Sequence, residues 1–237
     1  MRPSVRDQQA QQLALEAGRL VRPLTAELTP ERAVRVALAW WLAGLEARVE
    51  GSGQPLRPAY VGDQWSDGVR PASYPSLVLL PRSAQQRDAL VAVPYQIGGR
   101  DLISVDEAWA LWRVGEDTGE GVVHILASHA PQRDALASAV QDALQGNLDT
   151  LQSLGLPLPE AALPEPFRGL LEPGQFPIAR VTLAAAAANV DDELAAAGGV
   201  WRADVAFAWQ APRLAARTRI PDLRSEVTVS VAAPSEA

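Results

Sequence analysis

The chain has 237 residues, nearly half of them apolar, with no cysteine, 21 basic residues that are all arginine, and a formal net charge of −7. The absence of cysteine excludes disulfides, thiolate chemistry and cysteine-ligated zinc. The acidic balance argues against a sequence-specific or general nucleic-acid binder, because phosphate affinity needs clustered positive charge.

No apolar run approaches the roughly 20 residues of a membrane span, so no membrane partner is expected. The opening stretch MRPSVRDQQAQQLALEAGRL has no continuous hydrophobic core after its arginines. It does not read as a secretory signal, and folding in the cytoplasm is the expectation.

In chain order, Leu13, Ala14, Ala17, Leu20 and Val21 recur at helical spacing until Pro23. A clearer helix follows: Thr29 caps, Pro30 takes the first position, and Val34, Leu38, Trp41, Leu42, Leu45 and Val49 form one stripe stopped by Gly51 and Gly53. Gln54 to Ser76 reads as an extended loop holding Tyr60, Trp65 and Tyr74. Short strands are predicted at Leu77 to Leu80 and Ala89 to Gln96. A longer pair, Glu107 to Val114 and Gly121 to Ser128, is joined by the turn-like EDTG. Val122, Val123, Ile125 and Leu126 are apolar on both faces, as in a central strand.

From Pro131 the period returns to helical, with Leu136, Val140, Ala143 and Leu144 on one stripe and Gly146 at the end. The Pro-rich stretch LGLPLPEAALPEPFRGLLEPGQFP is expected to hold only short helical turns. Further strands are predicted at Ile178 to Ala184, Val200 to Gln210 and Glu226 to Val231. The middle one lies in AAAGGVWRADVAFAWQA, where helix propensity misleads. Trp201, Ala203, Val205, Phe207 and Trp209 occupy alternate positions, and that period of two is a half-buried strand.

The expected fold is α+β: a mixed, mainly antiparallel sheet with helices packed on one face, plus long Pro-rich loops. It is read as a single domain over 1–237, with an N-terminal helical extension over 1–53 and a Pro-rich insertion over 154–177. One sheet with a long insertion and two lobes with a linker are both compatible with that stretch.

Catalytic chemistry has few carriers. The two histidines, His124 and His129, lack metal-ligand spacing on one element, and Ser128 beside His129 points the opposite way on an extended chain. Asp191, Asp192 and Glu193 lack the alternating ligands of a calcium loop and read first as a solvated turn. Glu116, Asp117 and Glu120 fall on the predicted hairpin turn. No phosphate loop, dinucleotide fingerprint, nucleophile elbow or zinc-protease motif occurs. No catalytic residue, metal or cofactor is therefore assigned, and the chain is not expected to be an enzyme. Trp40 lies off the helix stripe and Trp65 in a polar loop; each either covers a sheet edge or loop base, or anchors an interface.

The succession of an N-terminal helix, YPSLVLL, GVVHILASHAP, the helix QRDALASAVQDAL and the closing DDELAAAGGVWRADVAFAWQA resembles the tail terminator, or tail completion, proteins of tailed bacteriophages and related particles. The resemblance is best over Gly119 to Leu144 and Ile178 to Val231 and rests on element order rather than a diagnostic motif. It implies a structural virion protein that forms a homo-oligomeric ring, usually a hexamer. Such a ring caps the tail tube and joins it to a neck or connector protein, after assembly in the host cytoplasm. Another neck, head-tail adaptor or baseplate component is the alternative, and an uncharacterised enzyme a third. The chain departs from small family members by its extra N-terminal helix and by Leu154 to Pro177, additions that would meet a tail sheath if the tail contracts. On this resemblance, Glu116, Asp117, Glu120, Asp191, Asp192 and Glu193 line a subunit or tube-facing surface, with Trp40 and Trp65 as interface anchors.

Overall fold

The structure, a computed structural model, describes residues 28–51, 54–62, 74–145, 153–190 and 199–218, with the backbone alone at 82–84 and 86–90. The predicted helix around Leu13 to Val21, the strand Glu226 to Val231, Trp65 and the acids Asp191, Asp192 and Glu193 lie outside the described residues.

Helix α1 spans Pro30–Leu42, with Pro30 in its first turn and Thr29 Oγ1 accepting a hydrogen bond from the Arg32 amide at 3.4 Å. It ends earlier than its apolar stripe suggests. The Gly44 amide donates to the Trp41 carbonyl at 3.2 Å, closing the helix. Beyond it Leu45, Ala47 and Val49 alternate with Glu46, Arg48 and Glu50, a strand period. That segment contributes β1 (Ala47–Arg48), which pairs with β2 (Pro55–Leu56).

The main sheet has six strands in the order β3-β4-β7-β10-β9-β8. They are β3 (Tyr60–Gly62), β4 (Ser76–Pro94), β7 (Trp109–Ala127), β8 (Leu154–Pro157), β9 (Ile178–Val190) and β10 (Trp201–Thr218). Among the described residues only β3 and β4 run parallel, and the other pairs of this sheet are antiparallel. Small strands β5 (Gln96–Ile97) and β6 (Arg100–Asp101) make a separate hairpin. Helix α2 spans Ala130–Gln145, as its period predicts. The fold is α+β with a mixed, mainly antiparallel sheet.

Two predicted connections prove to be strand interiors. Leu77 to Leu80 and Ala89 to Gln96 belong largely to one strand, β4, whose pairing with β7 shifts register between Ser83 and Gln85 and between Asp88 and Val93. The EDTG segment is not a hairpin turn. It lies inside the 19-residue strand β7, where Glu116 to Gly119 pair with Pro212 to Trp209 of β10. The glycines misled the reading because their task here is steric. Gly121 lies opposite Phe207, Gly119 opposite Trp209 and Gly115 opposite Arg213, so each large side chain on β10 faces a residue without one.

One core unites Val34, Leu38 and Leu42 of α1, Leu136, Val140 and Leu144 of α2, and the alternate sheet residues Leu77, Leu79, Val123, Ile125, Val205, Phe207 and Trp209. A second gathers Leu111, Leu163, Phe167 and Leu171, with Tyr95, Trp109 and Leu214 packed against it. The Pro-rich stretch thus contributes buried residues and, beyond the expected turns at Glu160–Ala162 and Glu165–Phe167, the strand β8. Strands β7 and β10 each contribute to both cores.

Candidate functional site

Alternation on β7 splits the three acids that the sequence places together. Asp117 points toward the first core and is 3 % exposed, whereas Glu116 is half-buried and Glu120 exposed on the other face of the strand. Asp117 receives the Arg213 guanidinium, with Nε at 3.0 Å and Nη2 at 2.9 Å from Oδ1. Its function is internal, a tie between β7 and β10, and it is not available to line a subunit surface. Glu116 is bound by Arg113 and by the Gln210 side-chain amide. Glu120 and Trp40 are exposed, Trp40 by 51 % on α1.

The face of the sheet bearing Glu116 carries a second polar group further along. Arg202 and Asp204, two residues apart on β10, project to the same side, and Asp204 pairs in register with His124 of β7. Asp204 accepts from Arg202 Nε at 2.8 Å and Nη2 at 2.7 Å. His124 Nδ1 lies 2.7 Å from Asp204 Oδ1 and 3.0 Å from Arg202 Nη2. An ionised carboxylate only accepts, so this pairing has the imidazole donating from Nδ1 to Asp204, and Arg202 Nη2 then lies beside Nδ1 without a hydrogen bond to it. Burial pushes the Asp204 carboxyl up, but the hydrogen bonds and charges of Arg202 and His124 outweigh it and hold the group below its usual range. The cluster cross-links two central strands. The spacing Arg-x-Asp within a period-two segment is the sequence signal for this pair, since it puts both side chains on one face of the strand.

At the other end of that face lies an open groove of about 860 Å³, bordered by Tyr95, Arg113, Glu116, Phe176, Ile178 and Arg180. The Tyr95 hydroxyl donates to the Gln175 carbonyl at 2.6 Å, pinning the Pro-rich segment to the end of β4, and burial raises the pKa of that phenol. Arg180 is exposed and makes no ion pair among the described residues. With Arg113 and Glu116 mutually compensated, Arg180 leaves the groove positive in an acidic chain. Ile178 at its edge is 54 % exposed. Neither residue was singled out from sequence, where an isolated isoleucine and arginine opening a strand carry no signal.

Among the described residues no three histidine, aspartate or glutamate side chains gather into a metal-binding group. None of the described helices is long and apolar enough to cross a membrane. The geometry of the described residues therefore defines an α+β protein with a cross-linked polar sheet face and an open groove lined by Arg113, Glu116 and Arg180. No protein-family model matches the chain, and no curated protein matches it.

Proposed function

We propose that the chain is a structural subunit that assembles with copies of itself into a ring, in the manner of a tail terminator that caps a tail tube and joins it to the neck of a virion. In this reading both helices cover one face of the sheet and the other face and strand ends are left for neighbours. The observation that carries it is the placement of large exposed apolar side chains at opposite ends of one antiparallel strand pair. Trp201, 46 % exposed, opens β10 next to the Arg202–Val190 pair, while Ile178, 54 % exposed, opens β9 beyond the Arg180–Gln210 pair. Two different sticky ends suit a heterologous, head-to-tail contact, and such contacts close into rings when the rotation permits.

The test is the solution mass of the purified chain by light scattering, with negative-stain images of the associated peak. A closed particle with a central hole, able to bind isolated tail tubes, is the expected outcome. A chain that remains monomeric at every concentration and ignores tail tubes overturns the reading.

A further inference from the structure

We infer that the groove beside Arg180 receives the acidic stretch Asp191, Asp192 and Glu193 of a second copy of the chain, so that copies join head to tail; this inference rests on the ring reading above. Three features converge on that occupant. The groove is positive: Arg180 has no ion-pair partner among the described residues, and Arg113 stands nearby on β7 with its charge shared with Glu116. The occupant is the densest acidic run in the sequence between β9 and β10, and it follows Val190 directly. The third feature is reach.

Strand β9 runs from Ile178 to Val190, so the groove sits at its beginning and the acids follow its end. Ten residue steps from Arg180 to Val190 correspond to about 30 Å of extended strand. The acids lie only one to three residues past Val190, which is about 10 Å of chain at full extension. They cannot fold back to their own groove. A neighbouring copy has no such restriction, and the same geometry that forbids the contact within one chain makes it head to tail between two. The exposed Ile178 at the groove edge gives the contact an apolar margin beside the charges. Opposite charges on this scale steer encounter and set register.

The experiment is a charge swap on the full chain, with association followed by sedimentation velocity at about 0.1 M salt. Arg180→Glu alone and the pair Asp191→Arg with Asp192→Arg alone are each expected to weaken association at least about tenfold, and the combined variant to recover most of it. Because Arg180 is exposed, its variants should melt with the wild type, and Arg180→Gln serves as a milder second variant. Association unchanged by Arg180→Glu and by Arg180→Gln overturns this docking while leaving the ring reading standing. Single defects that the combined swap does not repair overturn the pairing of these charges. A wild-type chain that never associates, alone or on tail tubes, overturns both.

Discussion

The ring of Phe207 lies directly over the Cα of Gly121, its cross-strand partner, so that a Cβ added there would come within 2.8 Å of Phe207 Cε1 and closer still to Cζ. The aromatic covers the backbone that glycine leaves bare. Gly121→Ala should therefore force the ring out of its place in the first core and cost about 1–3 kcal/mol. Thermal melts check this, and Phe207→Leu in the same chain should recover part of the loss, since the two positions share one volume.

The tie between Asp117 and Arg213 gives a second prediction. Asp117 is buried and Arg213 keeps partial contact with solvent. Removing the carboxylate by Asp117→Ala leaves the guanidinium against the sheet and should cost about 2–4 kcal/mol, toward the lower side for a pair that is partly wet. The double variant Asp117→Leu with Arg213→Met should unfold at a denaturant concentration close to wild type, because replacing both charges removes the desolvation cost together with the attraction.

Acid stability should depend on Asp204. Its carboxyl is held below the usual 3.8 in the folded chain by Arg202 and His124, against the upward push of burial. A depressed carboxyl contributes stability that is complete above the unfolded value and is lost as pH falls through the lower folded value. Unfolding free energy measured from pH 5 downward should thus fall more steeply below about pH 3.8 in the wild type than in Asp204→Asn. Parallel curves for the two proteins would remove Asp204 as a source of that slope.

Trp40 tests an interface without touching the core. Its side chain is half exposed on α1, whereas its neighbour Trp41 packs against the first core. Trp40→Ser should change folding stability by no more than about 0.5 kcal/mol, as is usual for exposed positions. The same substitution should reduce assembly or tube binding, read by light scattering; a variant that assembles as the wild type does returns Trp40 to plain surface.

Legibility from sequence followed the strength of the local period. Helices α1 and α2 and the alternating face of β10 were visible because each carries an unbroken repeat against a matching partner. The middle of β4 and β7 was not. The segment PRSAQQRD is polar and GEDTGEG is polar and glycine-rich, and nothing local says that they continue a strand; they do so because they pair with each other and because GEDTGEG pairs on its other side with the Phe207-to-Arg213 stretch. That one error also moved the acids, turning a supposed exposed turn into Asp117 inside and Glu116 and Glu120 outside. Arg180 and Ile178 gain meaning only when folding sets them beside Arg113 and Tyr95 from distant parts of the chain.

The length of β7 has a mechanical consequence. Its 19 residues span about 60 Å, and it is laced to β10 along almost all of that distance. A pull applied along the strands loads the whole row of hydrogen bonds at once, in shear, and cannot open them one by one like a zipper. The protein is thus stiff in one direction and easier to peel in the other, a grain like that of wood. A subunit set with that grain along the line of tension would carry load between whatever grips its two ends.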